Sequence, residues 1–173
     1  MLLVVKLAVM ICLCLIAFQD FRHRAVSWFL IPILFIGFVF IALQTSVWEY
    51  YWKELVFNIC FILVQLVLLT MYMSVKNKKF VNIVNSFLGI GDILFFVVLA
   101  AAFSPFNFVV FYLTSTILTL IGYGLFVFIK KVKTEIPLAG AMASMLLVLM
   151  ILNFCIPNLN LHNDNFIIFS FID

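Results

Sequence analysis

Six apolar runs, each close in length to the thickness of a bilayer, occupy most of the chain. They are Leu2 to Gln19, Trp28 to Leu43, Leu55 to Met73, Ser86 to Phe103, Phe108 to Ile129 and Ile136 to Ile156. A hydrocarbon core of about 30 Å takes roughly 20 apolar residues as a helix, the form that satisfies every backbone group from within. The pattern predicts an all-α, polytopic membrane protein with six transmembrane helices in one bundle. The links between runs are short, so residues 1–173 are expected to form a single integral-membrane domain. Composition agrees: 68% of the residues are hydrophobic and 10% charged, more apolar surface than a water-soluble core of this size can use.

Basic residues orient such a chain, because short loops rich in Lys and Arg stay in the cytoplasm. Arg22 and Arg24 follow the first run, Lys76, Lys78 and Lys79 the third, and Lys130, Lys131 and Lys133 the fifth. Only Lys6 and Lys53 remain for the other side, so a multi-pass protein with both termini outside is expected. These residues account for the net charge of +3, which leaves no basic stripe for a nucleic acid. The lipid bilayer is the partner that composition implies; oligomeric state is not readable. The first run is expected to be retained, since its basic residues follow the apolar stretch where a signal peptide carries them in front. Cys12, Cys14, Cys60 and Cys155 all fall inside runs without a C-x-x-C pair, so buried thiols are expected and no metal site.

The seven acids sort by position. Glu49 and Glu54 fall in an expected outer loop with the interfacial aromatics Trp48, Tyr50, Tyr51 and Trp52. Glu135 is in a basic inner loop, and Asp164 and Asp173 are in a C-terminal tail too short to span. Asp20 and Asp92 are left at the inner edge of the membrane. A helix beginning near Ser86 would carry Asp92 about 9 Å inward, and Asp20 would lie roughly 3 to 6 Å below the surface. An ionisable group at such depth costs a few kcal/mol and marks a candidate functional site. For Asp20 a structural pairing with Arg24, four residues on, is the competing reading. For Asp92 the preceding Gly89 and Gly91 would free the backbone to bend and let another chain approach closely. His23 is expected to be a solvated interfacial histidine, and Gly122 and Gly124 a close-packing surface.

Three blocks resemble the type IV prepilin and archaeal preflagellin leader peptidases, a family of integral-membrane aspartic peptidases. "QDFRHRAVSWFLIP" is similar to the first aspartate motif, here Asp20 with Arg22, Arg24 and Val26; "GIGD" is similar to the second, Gly89, Gly91 and Asp92. "EIPLAGAMA" looks like the Ile-Pro segment that opens the last helix, with Pro137 and Gly140. The resemblance implies Asp20 and Asp92 as catalytic residues, with Gly89, Gly91, Arg22, Arg24, Pro137 and Gly140 in substrate-binding or supporting roles. It implies a prokaryotic cytoplasmic membrane, no cofactor, and a membrane-inserted precursor with a short basic leader as substrate. Leu94 stands where members commonly carry Lys. The chain lacks the cysteine pairs and the length of the members that also methylate, so cleavage alone is expected.

Two adjacent carboxylates cannot both ionise cheaply, so such a pair shares one proton and can work as base and acid. Asp92, near a helix N-terminus, is expected to be the base, and Asp20, at a helix C-terminus, the acid. Two alternatives share the features: an inactive homologue acting as an assembly scaffold, and a small proton-coupled transporter. A channel is disfavoured, because "TLIGYG" at Thr119 to Gly124 sits inside an apolar run with no re-entrant loop.

Overall fold

The computed structural model describes residues 1–45, 47–79, 89–130 and 136–155, and every regular element among them is helical. In chain order these are α1 (Leu2–His23), α2 (Leu30–Thr45), α3 (Trp48–Asn77), α4 (Ile90–Ala102), α5 (Pro105–Lys130) and α6 (Leu138–Cys155). Three of them, α1, α3 and α5, are long and apolar enough to cross a membrane. The other three are apolar but shorter, with 16, 13 and 18 residues in α2, α4 and α6. At 1.5 Å per residue they measure about 24, 20 and 27 Å.

Several boundaries depart from the sequence reading by three or more residues, α1 ending at His23 and α3 at Asn77 among them, and two starts change where charged residues sit. Helix α3 starts at Trp48, not Leu55, so the aromatic belt with Glu49 and Glu54 is the helix's first turns and not a loop. Helix α4 starts at Ile90, which puts Asp92 in its first turn and not six residues deep. Ser86 to Leu88, Lys131, Lys133, Glu135 and the tail with Asp164 and Asp173 lie outside the described residues.

The described helices are apolar nearly all round, yet α1 and α3 each bury only a narrow stripe. On α1 the stripe is Val9, Leu13, Ile16 and Asp20; on α3 it is Tyr51, Leu55, Asn58 and Ile62. Residues four, seven and eleven apart return to the same face of a 3.6-residue helix, so Asp20 continues the apolar stripe of α1 and Asn58 interrupts that of α3. On the opposite faces Leu3, Val4, Ile11, Val64, Leu68 and Ile121 are more than half exposed, the surface a membrane protein gives to lipid. Cys14 and Cys60 are exposed there and Cys12 is half-buried, a correction to the expectation of buried thiols. Gly122 and Gly124 likewise face open space within the chain, with no atom within 4 Å of an added Cβ.

Helix α4 occupies the middle of the bundle, touching α2, α3, α5 and α6, and Phe95, Phe96 and residues 98–102 are all buried. So short a helix ends among its neighbours, where its last carbonyls would lack donors. Asn58 answers this from α3: its Nδ2 donates to the Ala100 and Phe103 carbonyls at 3.0 and 2.9 Å. The Tyr51 hydroxyl adds a weaker bond to the Ala101 carbonyl at 3.4 Å. Both neighbours of the Asn58 amide nitrogen are acceptors, which fixes the orientation of the amide. Helix α1 packs most extensively on α6 and then on α2. At Gly37 the approach to α1 is so close that a Cβ would collide with Val9 Cγ2.

Candidate active site

Helix α6 opens behind a proline, and this sets up the site. The first turn of any helix leaves its amides without intrahelical acceptors. A side-chain oxygen at the N-cap usually takes one of them, but Pro137 has no such oxygen. It has no N–H either, and its carbonyl accepts the first intrahelical bond, from Ala141 N–H at 3.1 Å. Leu138 N–H turns back to the Ile136 carbonyl at 2.9 Å. The next two amides are met from other helices. Ala139 N–H donates to Asp92 Oδ1 at 3.0 Å, and Gly140 N–H donates to Asp20 Oδ2 at 2.5 Å.

The two acids, 72 residues apart in sequence, are thus the missing cap of a third helix. Consecutive backbone nitrogens are roughly 3 Å apart, so the two bonded oxygens lie within about 9 Å of each other. The carboxylates are close enough for the Asp20 charge to act on Asp92. The partial positive charge of the α6 N-terminus favours negative charge on both.

The surroundings of the two differ. Asp92 is half-buried, and each of its oxygens accepts a backbone N–H: Oδ1 from Ala139, and Oδ2 from Gly89 at 3.3 Å. It also sits in the first turn of α4, so two helix N-termini converge on it. Asp20 is 6% exposed, in the last turn of α1, with its described hydrogen bond on Oδ2 alone. Among the described contacts Asp20 makes no ion pair with Arg24. Arg24 acts on it only as a nearby charge, while the Arg24 backbone N–H closes α1 on the Asp20 carbonyl at 3.0 Å, with Arg24 in the left-handed region at φ 51°.

The supporting residues divide. Gly140 is at the centre: a Cβ there would lie 2.8 Å from both Cβ and Oδ2 of Asp20. Gly89 is the N-cap of α4 in extended conformation, and a Cβ would approach Asp92 Oδ2 to 3.2 Å. Gly91 lies within α4, where a Cβ would meet Val26 at an ordinary 3.7 Å. None of the described glycines has positive φ, so neither glycine before Asp92 serves a special bend, and of the two only Gly89 permits a tight approach. Pro137 contributes by what it lacks. Arg22 points away: its guanidinium lies 5.7 Å over the ring of Phe18 on the exposed face of α1, about 200° around the helix from Asp20. His23 is exposed. Leu94 is also two residues from its acid, and so faces nearly opposite to Asp92 and is 39% exposed. A cation at that position would not touch the Asp92 carboxylate from this helix face.

Sequence reasoning missed four contributors. Ala139 acts through its backbone, which no side-chain pattern reveals. Asn58 and Tyr51 hold the far end of α4. Gln19, beside Asp20, accepts the Ser27 N–H at 3.0 Å and ties down the α1–α2 connection. A polar residue at the end of an apolar run was the available signal for Gln19.

The model of the type IV leader peptidase family matches residues 7–125, a stretch that includes both acids and stops short of α6. Neither a curated protein nor a solved structure matches the chain.

Proposed function

Because the chain belongs to the type IV leader peptidase family, we propose that it is an aspartic endopeptidase whose dyad is Asp20 and Asp92. It removes the short basic leader of prepilin-like or preflagellin-like precursors at the cytoplasmic face of a prokaryotic inner membrane. One observation carries this reading: successive amides of α6 each hold one of the two carboxylates.

In this reading all six helices lie in the bilayer with both termini outside, and the dyad meets the peptide bond between the leader and the hydrophobic helix of the precursor. Asp92, with an N–H donor on each oxygen and two helix ends beside it, carries the negative charge. Asp20 keeps the shared proton on Oδ1, the oxygen without a described hydrogen bond. Asp92 takes a proton from water as the oxygen attacks the scissile carbonyl, and Asp20 gives its proton to the carbonyl oxygen. The tetrahedral diol then collapses: the C–N bond breaks, the amine leaves with the proton held by Asp92, and Asp20 recovers its proton from the diol hydroxyl. A leader ending in a carboxyl and a mature chain beginning with an amine result. Arg24 is suited to steady the pair as a charge, Gly89 and Gly140 allow the close contacts, and Pro137 leaves the first free amides of α6 to the acids.

The test is incubation of the purified protein with prepilin-like precursors, the cut located by mass spectrometry. Asp20→Asn and Asp92→Asn should each lose activity by about 10³-fold or more, the scale of losing an acid or base together with its partner's role. Appreciable cleavage by either variant refutes the dyad. A wild-type protein that binds precursors and cuts none of them is instead a scaffold.

A further inference from the structure

The stretch between α1 and α2 carries no acid, yet it touches both acid-bearing helices. Arg24 closes α1 in the left-handed region and redirects the chain, and Ser27 accepts the Leu30 N–H at 3.0 Å to start α2. Between them Val26 packs on Gly91, one residue before Asp92, where a Cβ on the glycine would stand 3.7 Å from that of Val26. The next residue, Ser27, gives its N–H to the side chain of Gln19, one residue before Asp20. Gln19 to Ser27, Ser27 to Val26 and Val26 to Gly91 make a continuous bridge from the residue before one acid to the residue before the other. It runs outside the α6 cap and is independent of it.

From this geometry we infer that Gln19 is a positioning residue: its amide oxygen docks the α1–α2 connection on α4 and so keeps Asp20 in register with Asp92. The inference rests on the dyad proposed above. Gln19 and Asp20 are successive residues of the last turn of α1, about 100° apart around the helix. Fixing one side chain resists rotation of the turn that aims the other. The tie also satisfies the backbone N–H of the half-buried Ser27, which would otherwise seek another partner and draw the loop from α4. A displacement of about 1 Å at reacting groups costs on the order of 10²-fold in rate, so a small rotation would be visible in turnover.

Two measurements test this, one of them independent of catalysis. Gln19→Leu keeps the bulk and removes the acceptor. It is expected to lower kcat by roughly 10- to 100-fold while KM stays within about threefold, since alignment is lost and not binding. The second uses Val26→Cys with Gly91→Cys in a background with Cys12, Cys14, Cys60 and Cys155 replaced by Ala. The Cβ separation of 3.7 Å suits a disulfide. Oxidative bridging should be rapid with Gln19 in place and at least about fivefold slower when Gln19→Leu is added, if the tie holds the loop docked. The inference is overturned if Gln19→Leu leaves either kcat or the bridging rate unchanged. Failure of the dyad itself reads differently: cleavage by Asp20→Asn or Asp92→Asn would sink that proposal while the bridging rate still reported on the loop.

Discussion

Replacing Gly140 with Ala should cost catalysis one to two orders of magnitude while leaving the protein folded. The added Cβ would sit 2.8 Å from Asp20 Cβ and Oδ2 and 3.3 Å from Cγ, whereas carbon contacts relax at about 3.5 to 4.0 Å. The obstacle is a buried side chain bonded to the substituted residue itself, so it cannot swing aside and keep its donor. Asp20 must retreat by more than half an ångström by this arithmetic, or about 0.7 Å to the near edge of the contact range. The 2.5 Å bond from Gly140 N–H then lengthens beyond the strong range. Asp20 becomes negative only as it gives up its proton to the scissile carbonyl; a bond to that developing charge contributes about 1.5–3 kcal/mol, and each 1.36 kcal/mol is tenfold in rate. A loss of roughly 10- to 100-fold in kcat follows if the bond serves the reacting geometry. Stability falls by up to about 2 kcal/mol: overpacking costs about 1–3 kcal/mol, and the Ala for Gly exchange in a helix returns up to about 1 kcal/mol. The control is Gly91→Ala, whose methyl meets Val26 at an ordinary distance and should leave activity within about threefold, the range of a tolerated contact. Initial rates of precursor cleavage beside thermal unfolding in detergent would measure both. Full activity in Gly140→Ala, or greater damage in Gly91→Ala, refutes the geometry.

Two further substitutions probe the frame around the site. Asn58→Leu removes two donors from the end of α4; at about 0.6–1.7 kcal/mol per intramembrane bond, less about 1 kcal/mol for an Oδ1 that lacks a described partner, it should destabilise by up to roughly 2.4 kcal/mol. Unfolding by SDS titration measures this, and a variant as stable as the wild type would show that the cap is idle. Leu94→Lys restores the residue common in related peptidases on the face turned away from Asp92, so cleavage should stay within about threefold; a gain or loss beyond tenfold in the same rate assay would place that side chain at the reaction.

The two acids were legible because charge in an apolar run is conspicuous, and Gly89 because a rare small residue stood just before Asp92; Gly140 was reached only through the resemblance of its Ile-Pro segment. The offset of Arg22 from Asp20 was also available: two residues along a helix means the opposite face, so its absence from the site needed no coordinates. Asn58, Tyr51 and Ala139 were out of reach for different reasons. Tyr51 read as one more interfacial aromatic, although it is almost wholly buried. Asn58 was a single amide in a run where every face is apolar, so periodicity could not say which side was covered. Ala139 supplies only its backbone. The start of α3 was misplaced because Trp48 to Trp52 suit an interface equally well as loop or helix.

Capping α6 with acids from two other helices ties architecture to chemistry in an uneven way. An amide side chain can still accept from Ala139 or Gly140 through its oxygen, yet it can neither ionise nor pass a proton. Descendants with Asn at both places could therefore keep the same bundle and lose the reaction. Alanine there would strip the helix start as well, and silence would then say nothing about which loss came first.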